Sequence, residues 1–221
     1  LFGKLMKLDD NEIETAVNRM ISRIKEKETH DDFDELVLYT NKHFPGDIGV
    51  FCVFLLQHVK LQRGESIFLA ASLPHCYLSG NIIECMACSD NVVRAGLTPK
   101  LKDSETLCSM LDYTQNPVSV MRGNSIDAYC CSYPVPVDEF LLYRILIEEN
   151  LSSYTFPVVD DSNPAILLVI QGKAEQSEVN KENSSIALSE GATVFVPPGT
   201  TLHFSNIQAP FEAYYCTSKS L

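Results

Sequence analysis

Between residues 10 and 28 apolar side chains return at Ile13, Val17, Met20, Ile21 and Ile24, in steps that place them on one face of a helix. Asp10 or Asn11, whose side-chain oxygens accept from the first unpaired backbone N–H groups, is the expected N-cap. The pattern recurs from Asp31 to Phe44 through Phe33, Leu36, Val37 and Tyr39, and Pro45-Gly46 ends it. A third, more completely apolar helix is predicted over 47–60. The first 60 residues therefore read as all-helical.

At Gly64 the pattern changes to short β-rich runs bounded by turn residues: Ser66 to Ala70, Asn81 to Ala87, Ser119 to Met121 and Asp127 to Tyr133, with one helix, Asp103 to Leu111, among them. Beyond Pro134 follow Phe140 to Glu148, Ala165 to Ile170, Ser185 to Leu188, Ala192 to Val196 and Thr201 to Phe204. Short strands at this spacing argue for an antiparallel sandwich or barrel. One unit occurs twice: Gly64-Glu-Ser-Ile-Phe68 leads to His75, and Gly191-Ala-Thr-Val-Phe195 leads to His203. The second copy, with Pro197 and Gly199 before His203, resembles a motif of the cupins, small jelly-roll barrels whose histidines often hold a metal.

Composition narrows the class. A chain of 221 residues with 45% hydrophobic side chains can bury a core of one large domain or two small ones. The longest apolar run, Ile48 to Leu56, falls well short of the roughly 20 residues that a membrane-spanning helix needs, so no membrane association is expected. The net charge of −12 lacks the basic stripe that nucleic acid requires, and nucleic acid is excluded as a partner. Residues 103–221 hold 15 acids against five bases, whereas 60–102 are net +2, where an anionic ligand could sit, although so small a local excess often carries no meaning. Eight cysteines in so aliphatic a chain read as reduced thiols of a cytoplasmic protein. Because the sequence opens at Leu1, further sequence upstream is expected.

A metal barrel needs several ligands converging on one point. For the second barrel the expected positions fall on Val159, Asp160, Asp161 and Ala165, with no histidine or glutamate, so His203 is expected to be structural. Cys85 and Cys88, three apart on an expected strand, send their sulfurs to opposite faces and read as packing residues. Cys130-Cys131 read likewise, and His30, His43 and His58 have no clustered partners.

The stretch Pro74-His-Cys-Tyr-Leu-Ser-Gly80, followed by Ile83-Glu-Cys-Met-Ala-Cys-Ser-Asp-Asn-Val-Val-Arg-Ala-Gly-Leu-Thr-Pro-Lys100, closely resembles the type I mannose-6-phosphate isomerases. The resemblance implies a mainly β chain of cupin barrels with an N-terminal helical insertion. The implied segments are a helical segment over 1–63, the closing part of a catalytic barrel over 64–117, and a C-terminal barrel without metal over 118–221. It further implies His75 as a zinc ligand, Arg94 as the catalytic arginine, and Glu84 and Lys100 lining the sugar-phosphate pocket.

Those residue types suit aldose–ketose isomerisation through an enediolate. Arg94 would stabilise charge developing on oxygen, Lys100 would hold the phosphate, and Glu84 would position a hydroxyl or shuttle protons. The family's other zinc ligands, a Gln, a His and a Glu, have no equivalents here. The expectation is therefore the C-terminal part of a monomeric zinc isomerase of mannose 6-phosphate and fructose 6-phosphate. By itself it would bind zinc weakly and be inactive, with exposed β edges over 64–117. The alternative is a non-catalytic cupin-type protein that binds a sugar phosphate or a partner.

Overall fold

A computed structural model of the chain describes residues 1–89, 92–114, 117–157, 162–178 and 185–219. These divide into two compact units. The first comprises Leu1–Lys60, Leu69–Ile82 and Ser89–Val118, and the second Leu61–Phe68, Ile83–Cys88 and Ser119–Leu221. Residues of the expected 64–117 segment are thus shared between the two. Among the described residues no helix is long and apolar enough to cross a membrane.

The first unit is helical: α1 (Phe2–Leu5), α2 (Asp10–Lys25), α3 (Asp32–His43), α4 (Gly49–Cys52) and α5 (Ser104–Met110). Ile13, Val17, Ile21 and Ile24 form the buried face of α2, as their spacing predicts, and pack with Val37, Val50 and Leu107. The N-cap of α2 is Asp9, not Asp10 or Asn11: its carboxylate accepts from the Asn11 amide at 2.9 Å, and Glu12 answers in a capping box. Three capping-type residues in a row leave this choice to local geometry. The third helix is far shorter than 47–60. Its valines and phenylalanines are weak helix formers, and beyond Cys52 the chain continues in tight turns, with Leu55 N donating to the Cys52 carbonyl at 3.0 Å.

The second unit is antiparallel β. Strands β1 (Glu65–Ile67) and β2 (Val120–Arg122) form a two-stranded ribbon. The main sheet runs β3 (Asn124–Ser125), β4 (Cys130–Tyr133), β5 (Leu141–Ile147), β10 (Leu202–Thr217), β7 (Ala165–Glu178), β8 (Ser185–Ser189). Two further strands join it, β6 (Leu151–Thr155) on β10 and β9 (Thr193–Val196) on β7. This is the expected mainly β cupin architecture. Tyr143, Ile145 and Ile147 of β5 point inward beside Phe156, Leu167, Phe204, Phe211 and Tyr215. Strand β6 has no counterpart in the sequence reading, and β7 and β10 run longer than predicted. In β10, Asn206 at φ 51° and Pro210 interrupt the alternation, and the pairing with β7 shifts register around them rather than ending. No strand forms over 81–87. An extended segment needs a neighbour for its backbone N–H and C=O groups, and no described strand pairs with it.

The repeated glycines do act alike: Gly64 and Gly191 turn at φ 84° and 83°, just ahead of β1 and β9. His203 lies on β10 opposite Thr155, with Nδ1 2.9 Å from the Thr155 hydroxyl. Val159, Asp160 and Asp161, expected to face that histidine, lie outside the described residues.

Candidate functional site

His75, Arg94 and Lys100 belong to irregular parts of the first unit, and Glu84 to the second. His75 is exposed, with Nδ1 2.9 Å from the Leu73 carbonyl oxygen. A carbonyl can only accept, so Nδ1 carries a proton, and in the neutral ring Nε2 then keeps its lone pair. That is the tautomer a metal ligand presents. The Tyr77 ring flanks the imidazole at 5.6 Å between centroids, and α3 secures this stretch through the Tyr39 hydroxyl, which donates to the Leu78 carbonyl at 2.8 Å. Tyr39, His43, Cys76, Tyr77 and Leu97 line a cavity of about 260 Å³ there.

The Arg94 loop is fastened more tightly. Val93 and Ala95 pack against the helical core on either side of Arg94. Asp47 Oδ1 accepts from the amides of both Gly49 and Leu97 at 2.7 Å, and Lys102 Nζ lies 3.7 Å from Oδ2. The contact leaves no room for a side chain at Gly96, whose Cβ would meet Asp47 Oδ1 at 2.7 Å and the Gly49 nitrogen at 2.8 Å. Leu97 itself turns at φ 53°. Arg94 is half-buried and makes no hydrogen bond or ion pair with any described residue. A guanidinium held on a braced loop without a carboxylate partner is available to an anionic ligand.

Lys100 is exposed, and only its backbone is tied down, with its amide donating to Thr98 Oγ1 at 3.2 Å. Glu84 is exposed on the segment just ahead of Cys85. No hydrogen bond or ring contact joins His75, Arg94 and Lys100 to one another. Asp90 and Asn91 of the same motif lie outside the described residues.

Among the described residues no three His, Cys, Asp or Glu side chains come together to hold a metal. A catalytic zinc takes three protein ligands and an open position. The described residues of this chain therefore do not make a zinc centre, although His75 presents one free ring nitrogen.

The sequence reading passed over Asp47 and gave Tyr39 only a place in the apolar pattern of a helix. Each lies dozens of residues from the motif it secures, and one chain carries no local sign of such a pairing. Asp47→Ala should leave the Gly49 and Leu97 amides without their acceptor, a loss of about 1–3 kcal/mol. We expect faster hydrogen exchange at those two amides, with most protection kept in Asp47→Asn. Unchanged exchange in the alanine variant would mean that Asp47 does not hold the loop.

A model of the type I phosphomannose isomerase helical insertion domain matches residues 1–56. Mannose-6-phosphate isomerase 2 of Arabidopsis thaliana is 39% identical over 206 residues, covering 92% of this chain and 45% of that protein. The mannose-6-phosphate isomerase of Rattus norvegicus is 37% identical over 210 residues, covering 91% and 49%. Among solved structures, mannose 6-phosphate isomerase from Salmonella typhimurium, bound to its substrate fructose 6-phosphate and zinc, superposes with a TM-score of 0.81 at 25% identity, over 99% of this chain and 53% of that one. The chain spans about half the length of the curated relatives it matches. With the helical insertion, the cupin strands and the Pro74–Lys100 motif all in place, it belongs to the type I mannose-6-phosphate isomerase family.

Proposed function

We propose that this chain provides part of the active site of an isomerase that interconverts mannose 6-phosphate and fructose 6-phosphate, working as a cytoplasmic monomer and supplying mannose to glycoconjugate precursors or to glycolysis. The observation that carries the reading is the 39% identity over 92% of the chain to an isomerase of that name. The reaction moves a proton between C1 and C2 of the sugar, and negative charge builds on the enediolate oxygens. Arg94, always charged and able to bind two oxygens at once, stabilises that charge. Lys100 holds the phosphate as a point charge, and Glu84 orients a sugar hydroxyl or relays a proton.

His75 offers Nε2 as one ligand of the family's zinc, and the part of the relatives' length that this chain does not span would carry the others. In the first unit Tyr77, Val92 and Leu101 are 51%, 62% and 89% exposed. Apolar exposure of that extent around the motif suits a surface that further protein covers.

The test is a chimaera in which this chain replaces the matching part of the Arabidopsis relative. We expect it to interconvert the two sugar phosphates when loaded with zinc, and the isolated chain to show no turnover. A folded, zinc-loaded chimaera without turnover would sink the proposal and favour the binding-protein reading.

A further inference from the structure

We propose that Cys85 and Cys216 form a redox-active dithiol, a modification site at which a hydroperoxide closes a disulfide within the second unit. Their sulfurs lie 3.0 Å apart although the residues are 131 positions apart in sequence. A disulfide forms when such a pair closes by about 1 Å more. Cys216 is fixed near the end of β10, between Leu142 of β5 and Ile166 of β7. Cys85 sits on the irregular segment Ile83–Cys88, which is not tied into the sheet and can supply the movement. Both residues are partly exposed, so a small oxidant can reach them.

The remaining thiols are placed differently. Cys52 and Cys130 are buried, and burial, with smaller contributions from nearby Asp47 and Asp127 respectively, pushes them up to about 11 and about 12, so they stay protonated and inert. Cys88 is exposed, but it is Cys216 rather than Cys88 that lies against Cys85. Either thiol can donate to the other sulfur across this gap.

The thiolate of one member of the pair attacks the peroxide, the O–O bond breaks, and a sulfenic acid forms as the leaving hydroxide takes up a proton to become water. The other thiol then attacks that sulfur, expelling a second water and forming the S–S bond between Cys85 and Cys216. In sum, two thiols and one hydrogen peroxide give one disulfide and two waters, and a thiol reductant restores the pair by exchange. Closure would tether the segment that carries Glu84 to the end of β10.

The site is tested on the chain as it stands, treated with one equivalent of hydrogen peroxide, alkylated, and mapped by mass spectrometry without reduction. We expect two of the eight thiols to be lost together, a single cross-link joining the Cys85 and Cys216 peptides, and full recovery with dithiothreitol. Cys216→Ser should abolish the cross-link and Cys88→Ser should leave it. A Cys85–Cys88 cross-link, oxidation scattered over many thiols, or sulfinic acid without any cross-link would each overturn the proposal. The wild-type map decides the matter even if a serine variant fails to fold.

Discussion

Arg94→Ala, introduced into the active chimaera, is expected to lower kcat about 100- to 1000-fold, the loss usual when one donor to a developing oxyanion is removed. KM should change much less, because Lys100 is assigned the phosphate, whose charge is present in the ground state. Folding should be unaffected, since Arg94 makes no hydrogen bond or ion pair with a described residue. Arg94→Lys keeps the charge but loses the planar fork that meets two oxygens, so it should recover only part of the rate. Steady-state kinetics beside a thermal melt separate these effects. Turnover equal to that of the parent chimaera would remove Arg94 from the mechanism, while the family assignment would stand.

The second large effect lies in the β unit, at Glu212 of β10. Its carboxylate receives Arg144 Nε and Arg63 Nη2, each at 2.7 Å, and the Tyr214 hydroxyl at 3.1 Å. Glu212 and Arg144 are both buried, and Arg144 Nη2 already has no partner among the described residues. Gly64 is part of the same arrangement: Arg144 Nη1 occupies the space its Cβ would need, and its carbonyl accepts from the Tyr133 hydroxyl at 3.0 Å. Glu212→Ala would strand a buried guanidinium, at a cost of about 3–5 kcal/mol. Against a typical stability of about 5–15 kcal/mol for a whole domain, that is enough to unfold much of the unit.

Burial by itself raises the Glu212 carboxyl, but hydrogen bonds from Arg63 and Arg144 and the Arg144 charge outweigh it and hold the group below its ordinary range. Its contribution to stability is therefore complete above the unfolded-state value of about 4.3 and is lost as pH falls through the lower folded-state value. Urea unfolding between pH 7 and pH 3 should show this decline in the native chain. Glu212→Gln, which cannot ionise, should show less of it. Equal acid sensitivity in both would place the titration elsewhere.

The fold was legible where the code is local. Ile13, Val17, Ile21 and Ile24 announce α2 because a helix buries residues three and four apart, whatever lies across from it. The apolar run around Val50 and Phe51 gave no such contrast between faces, and a four-residue helix followed by turns stands where a longer one was expected. Strands depend on partners. Asn81 to Ala87 has a strand's composition but finds no neighbour among the described strands, whereas Ser205 to Thr217, which Asn206 and Pro210 disguise as a turn, is held along β7 on one side and by β6 and then β5 on the other.

The site divides in the same way. His75, Arg94, Glu84 and Lys100 could be picked out only because a contiguous motif resembled a family. Asp47, which braces the Arg94 loop, was invisible without the fold. Cysteine spacing drew attention to Cys85 and Cys88, while the sulfur that meets Cys85 is on the last strand.

That last strand also sets the order of events during synthesis. β10 pairs with β5, β6 and β7, all of which leave the ribosome before it. For roughly ten seconds at ordinary rates of elongation, β5 waits with an open edge and the inward faces of Tyr143, Ile145 and Ile147 uncovered. The β unit therefore closes late and all at once, and in the cell its yield is expected to depend on chaperones that shield β5 until β10 emerges.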